Sequence, residues 1–209
     1  MYNPVNDLKK MQLHPIKNEP SLEEMYEPIG SKNSTEEDNS CEGMSRIIQF
    51  PNGSSVFVSG INTLSPPDFR DLQDNKIKVV ISVTDDLDVI IPPIYRQYWF
   101  KVMDTPTEPI NRHFENTWII VSHSVNNGEN VLIHCRAGIS RSVTLFISFM
   151  LRGLKEGFPI ESYVFKDSRE NWSQAILRYV QTKRVCANPN MGFMIQLYRY
   201  EQNLKLQMY

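Results

Sequence analysis

The chain has 209 residues, 41% of them hydrophobic and 22% charged, with a formal net charge of −2. That length suits one domain plus a tail. The balance carries no nucleic-acid signal, no apolar run approaches the roughly twenty residues that span a bilayer, no signal-peptide pattern opens the chain, and Tyr2 excludes N-myristoylation.

Residues 1–45 hold 4 Lys and 9 Asp or Glu, a net −5, while the remainder carries 18 basic and 15 acidic residues, a net +3. Rich in Pro, Asn, Ser and Glu and poor in apolar runs, residues 1–45 read as a disordered acidic tail. Within it, Lys9-Lys10-Met11-Gln12-Leu13 has the pattern of a kinase-docking peptide, and Ser34-Thr35-Glu36-Glu37-Asp38 could accept phosphate from an acid-directed kinase. The three cysteines, odd in number and widely separated, argue against a disulfide framework and for a reducing compartment, so the cytoplasm or nucleus is the expected location.

The domain is expected over 46–209. Ile47 to Phe50, a Pro51-Asn52-Gly53 turn and Ser54 to Ser59 form a hairpin pattern. Ser65-Pro66-Pro67-Asp68 reads as a capped helix start leading through Leu72 to a buried strand over Lys78–Val83. Tyr95–Val102 is an aromatic-rich strand, and Ile110, Phe114, Trp118, Val121 and Val125 then follow helical spacing up to Asn126-Asn127-Gly128. Val131-Leu132-Ile133 is a short buried strand, and Val143–Leu151 is apolar enough for a core helix. Strands alternating with helices predict an α/β domain with a central, largely parallel sheet of about five strands.

Between that last strand and helix lies His134-Cys135-Arg136-Ala137-Gly138-Ile139-Ser140-Arg141-Ser142, on which the rest turns. A strand, a tight loop and a helix N-terminus make an anion cradle, with loop amides and helix dipole aimed at one point. Cys135 at its base is a candidate nucleophile, because such a setting favours thiolate over thiol. Gly138 permits a φ that a side chain would forbid. Arg141 offers a planar fork to two phosphoryl oxygens, and Ser142 can donate to the cysteine sulfur. The phosphate-binding set is therefore Arg136, Ala137, Gly138, Ile139, Ser140 and Arg141, with His134 ordering the loop through a backbone hydrogen bond. A proton donor is also needed. Asp104 follows a strand 31 residues before Cys135, on a loop stiffened by Pro106, at the same sheet edge. Glu108 is the nearby competitor; Asp85, Asp86 and Asp88 read as turn residues, since clustered acids would repel a phosphate. No Cys/His metal spacing exists, and neither metal nor cofactor is expected.

The loop resembles the signature of cysteine-dependent protein phosphatases, and its Ala-Gly-Ile-Ser-Arg-Ser ending resembles the dual-specificity branch. The resemblance runs from about Val56 to Glu201 and implies that family's three-layer domain. It implies in-line attack by Cys135, oxyanion binding by Arg141 and loop amides, protonation of the leaving oxygen by Asp104, and eased sulfur departure through Ser142. The implied substrate is a phosphoprotein carrying phosphotyrosine or phosphoserine/phosphothreonine. Phosphoinositide or RNA 5′ ends are alternatives: the resemblance disfavours the first because lipid-directed relatives place lysines in the loop, where this chain has only Arg136, and the second because RNA-directed relatives carry a different loop and stronger basic surfaces. The stretch from Tyr179 to Phe193 is worded like the pseudophosphatase members, which keeps a phosphoprotein-binding scaffold with negligible turnover as a rival. One departure is an insertion near 155–172, expected to form a partner surface.

Overall fold

In the computed structural model the described residues are 41–206, apart from 67, 87, 88 and 168. The expected docking peptide at Lys9–Leu13 and the phosphosite at Ser34–Asp38 lie outside them. Five strands form one sheet: β1 (Ser45–Gln49), β2 (Ser55–Ser59), β3 (Ile77–Thr84), β4 (Arg96–Lys101) and β5 (Asn130–His134), in the order β1-β2-β5-β3-β4. Only the β1–β2 hairpin is antiparallel; the β2–β5, β5–β3 and β3–β4 pairings are parallel. This is the α/β sheet that the alternating pattern predicts.

Parallel strands covered on both faces become continuous apolar runs, and the pleat divides each run between two cores. Val56, Val58, Val79, Ile81, Val131 and Ile133 face a large core shared with α2 (Phe114–Asn126), α3 (Arg141–Lys155), α4 (Trp172–Gln181) and α5 (Met191–Leu204). Phe57, Val80 and Leu132, one position out of phase, face a smaller core with Leu72 of α1 (Arg70–Asp74). Helix α3 is buried along most of its length; Thr144 and Ser148 satisfy their hydroxyls by donating to the Ser140 and Leu145 carbonyls. No helix among the described residues is long and apolar enough to cross a membrane.

Three expectations need correcting. The helix expected from Ser65 begins only at Arg70: Phe69 precedes it at φ 48° to bury its ring in the smaller core, while the Ser65 hydroxyl donates to the Asn62 carbonyl in a preceding turn. The stretch after α3 is not simply an exposed surface. Ile160 and Val164 are fully buried, and Phe158 packs edge-on against Phe50, Trp118 and Phe149, so these residues of the expected insertion belong to the large core. Finally, Cys41 and Cys186 are paired as a disulfide, with Cα atoms 6.0 Å apart, a separation suited to that bond. Composition disfavoured such a bridge because only tertiary folding brings residues 145 positions apart together.

Candidate active site

Cys135 leaves the buried end of β5 and is itself 1% exposed. The six residues that follow it turn back into α3, whose N-terminus is Arg141. Four successive carbonyls of this loop are bound on its outer side: Arg136 O accepts from the Ile61 amide (3.0 Å), Ala137 O and Gly138 O from Arg184 (3.4 and 2.6 Å), and Ile139 O from the Asn188 amide (2.9 Å). In a trans peptide, C=O and the next N–H point in opposite directions. Carbonyls drawn outward therefore turn the amides of Ala137, Gly138, Ile139 and Ser140 inward. The Gly138 amide shows the result directly, donating to Cys135 Sγ at 3.1 Å. Ser142 Oγ adds a second donor to the sulfur at 3.3 Å.

Gly138 sits at φ +70°, and a Cβ there would collide with the Arg184 guanidinium and the Ser59–Gly60 backbone. Both its conformation and its crowding require glycine.

Arg141 is 5% exposed. Its Nη1 is held by the Val102 carbonyl (3.0 Å) and Asp85 Oδ1 (3.2 Å), while its buried Nε has no hydrogen-bond partner. Asp104 Oδ2 is the nearest carboxylate to Nε, at 3.6 Å, too far for a hydrogen bond. A buried guanidinium donor left open is the group an oxyanion would satisfy.

Asp85 therefore differs from the turn residue expected of it. Its carboxylate grips the far edge of Arg141 and lies 3.9 Å from Arg136 Nη2. A backbone hydrogen bond at Asp85 and, next, the Arg141 side chain hold its carboxyl below the usual carboxylate range. The repulsion argument missed it because one acid bound to an arginine neutralises charge at the site rather than repelling an anion.

Asp104 reaches the loop from the end of β4. Its Oδ1 accepts from Ser140 Oγ (2.7 Å) and Asn190 Nδ2 (2.8 Å). Glu108, the competitor, is turned away: it is buried and paired with Arg112 at 2.7 Å. His134 is 2% exposed, with Nδ1 3.4 Å from the Cys135 carbonyl and Nε2 2.7 Å from Ser82 Oγ, which accepts in turn from Gln97 Nε2. Burial pushes His134 down to about 4, so it is neutral at pH 7. With Nδ1 donating to the carbonyl, Nε2 accepts from the serine hydroxyl, which fixes the tautomer.

Arg184 and Asn190 lie in the family-like stretch Tyr179 to Phe193, but their roles at the site were not read from it. Arg184 is 3% exposed and 46 positions from the glycine whose carbonyl it binds. Asn190 caps α5 by accepting from the Phe193 amide and also donates to Asp104. Its place before a helix could have revealed the cap, but not the second role. No cluster of three or more His, Cys, Asp or Glu suited to a metal exists among the described residues.

A family model described as the dual specificity phosphatase catalytic domain matches residues 57–203. Dual specificity protein phosphatase 22 of Mus musculus is 31% identical over 154 residues, covering 72% of this chain and 75% of that protein. A probable rhodanese domain-containing dual specificity protein phosphatase of Dictyostelium discoideum is 33% identical over 132 residues, though the match spans only 25% of its length. Among solved structures, the human tyrosine phosphatase-like serine/threonine/tyrosine-interacting protein superposes with a TM-score of 0.62 at 27% identity, covering 77% of this chain and 97% of that one.

Proposed function

Because the chain belongs to the dual-specificity phosphatase family, whose catalytic domain is a protein phosphatase domain, we propose that it removes phosphate from tyrosine and from serine or threonine of phosphoproteins. The observation that carries this reading is the loop after β5, with four carbonyls bound outward and the Cys135 sulfur receiving donors from Gly138 and Ser142.

In the proposed reaction the Cys135 sulfur attacks phosphorus in line, an S–P bond forms, and the bond to the leaving oxygen breaks as Asp104 gives that oxygen a proton. Arg141 Nε and the inward amides bind the equatorial oxygens, where negative charge accumulates. Water then attacks the cysteinyl phosphate while Asp104 takes its proton; the S–P bond breaks, Ser142 donates to the departing sulfur, and inorganic phosphate leaves. His134 stays neutral and transfers no proton.

The same reading assigns the enzyme to phosphoprotein signalling, with residues 9–13 offering a kinase a docking peptide. The basic pair and spaced apolar residues of that segment support the docking role.

Hydrolysis of para-nitrophenyl phosphate and of phosphotyrosyl and phosphothreonyl peptides tests the reading. Cys135→Ser is expected to abolish turnover while retaining peptide binding. Asp104→Asn is expected to slow phosphothreonine far more than para-nitrophenyl phosphate, because the alkoxide needs the proton and nitrophenolate does not. Turnover surviving in Cys135→Ser would overturn the mechanism. Binding without turnover by the wild type would establish the scaffold alternative, which the likeness to the interacting protein keeps in view.

A further inference from the structure

We propose that Arg184, outside the signature loop, is a positioning residue that sets the loop's affinity for oxyanions by holding two of its peptide planes. Nε binds the Gly138 carbonyl at 2.6 Å and Nη2 the Ala137 carbonyl at 3.4 Å. These carbonyls belong to the peptide units that carry the Ile139 and Gly138 amides. Pulling the carbonyls outward aims both amides at the cradle, one of them onto the nucleophilic sulfur. Either peptide, left to rotate, would present a carbonyl dipole to the incoming anion instead.

The guanidinium is itself immobilised. Nη1 donates to the Gly43 carbonyl (3.2 Å) and Ser45 Oγ (3.1 Å), Nη2 to the Cys41 carbonyl (3.0 Å), and the disulfide from Cys41 to Cys186 closes the seat two residues beyond Arg184. Among the described residues the hydrogen bonds of this arginine go to backbone carbonyls and one hydroxyl, so its charge lies beneath the anion site without a hydrogen-bonded carboxylate beside it. Burial lowers the Arg184 pKa, and the neighbouring Cys135 opposes that shift. A planar five-donor fork can hold two non-parallel carbonyls at once; an ammonium on a flexible stem cannot fix both.

The proposal rests on the phosphatase reading for its purpose, but its test is separate. Tungstate binding is measured by calorimetry on the full chain, wild type and Arg184→Lys, together with thermal melts and steady-state kinetics on para-nitrophenyl phosphate. Arg184→Lys is expected to bind tungstate at least tenfold more weakly per folded molecule and to raise KM in parallel. Tungstate affinity within twofold of wild type, once corrected for the folded fraction, overturns the proposal. If Arg184→Lys does not fold, Ser45→Ala carries the test, since it removes one support of the guanidinium without touching the loop: a two- to fourfold loss of affinity sustains the proposal and an unchanged affinity overturns it. A wild type that binds tungstate but hydrolyses nothing would defeat the phosphatase reading and leave the Arg184 measurement intact.

Discussion

Asn190 donates its side-chain amide to Asp104 Oδ1 at 2.8 Å while its own side-chain oxygen accepts the Phe193 amide at the start of α5. One side chain thus ties the candidate proton donor to a helix that begins 87 positions after it (191 − 104). Cap and anchor can be separated experimentally. Asn190→Ser keeps a good N-cap but is too short to reach Asp104, so thermal stability is expected to stay near wild type while kcat on a phosphothreonyl peptide falls roughly tenfold. Parallel losses of stability and activity would mean that the anchor has no separate role.

Gly192 lies against Pro106 so closely that a Cβ would fall on the Pro106 carbonyl. Gly192→Ala must therefore push the Asp104 loop and the first turn of α5 apart. Displacements of about 1 Å at a catalytic group cost up to a hundredfold, so kcat is expected to fall by at least roughly tenfold. Steady-state assays on the phosphothreonyl peptide, with a melt as control, check this.

Asp85 holds Arg141 by Nη1, leaving Nε toward the cradle. Asp85→Ala is expected to weaken tungstate binding roughly three- to tenfold by letting the guanidinium swing. Tighter binding would instead mark Asp85 as a competitor of the anion. Since its folded pKa lies below 3.8, its contribution is present above that value and lost as pH falls through the folded one. The pair thus persists across ordinary assay conditions, and any activity change between pH 5 and 7 is expected to survive in Asp85→Ala.

His134 gives a pH signature of the same sign in a higher window. Its folded value of about 4 lies below the usual 6.5, so between those values the unfolded chain binds a proton that the native state excludes. Stability therefore falls as pH drops through this window, by about 2 kcal/mol from pH 7 to 5 for this group. Denaturant titrations of wild type and His134→Gln at both pH values are expected to show that increment in the wild type alone.

The disulfide spans 145 positions. Opening a loop of that size releases about 5 kcal/mol of constraint on the unfolded chain in the loop-entropy account. Reductant is expected to lower the denaturation midpoint of the wild type and to leave Cys186→Ser, already lowered, unchanged. A linked Cys41–Cys186 peptide pair should appear in non-reducing digests. Identical midpoints with and without reductant would show that the bridge carries no stability.

What could be read directly from the chain was whatever is local. The β5–loop–α3 unit is continuous, and its glycine, cysteine and arginine spacing encodes the cradle without outside help. The hairpin around Asn52-Gly53 and the short apolar run of β5 are likewise written in neighbouring residues. The roles of Arg184, Asn190 and Asp85 were invisible because each acts on a partner more than 40 positions away, and nothing in an arginine between Lys183 and Val185 tells whether it faces solvent or a carbonyl. Ser65 misled for a related reason: its cap chemistry is sound, but burying Phe69 decided where the helix starts.

Arg184 clasps both the nucleophile loop and the Cys41–Ser45 segment, so the pocket draws on chain at the start of the sheet's first strand and on chain well after its last. A ribosome-bound chain that has already extruded its cysteine would therefore stay inert until the stretch bearing Arg184 and Asn190 has emerged. Catalytic competence would arrive late in synthesis, and chains cut short before that stretch would carry an intact signature and a slack, unreactive cup.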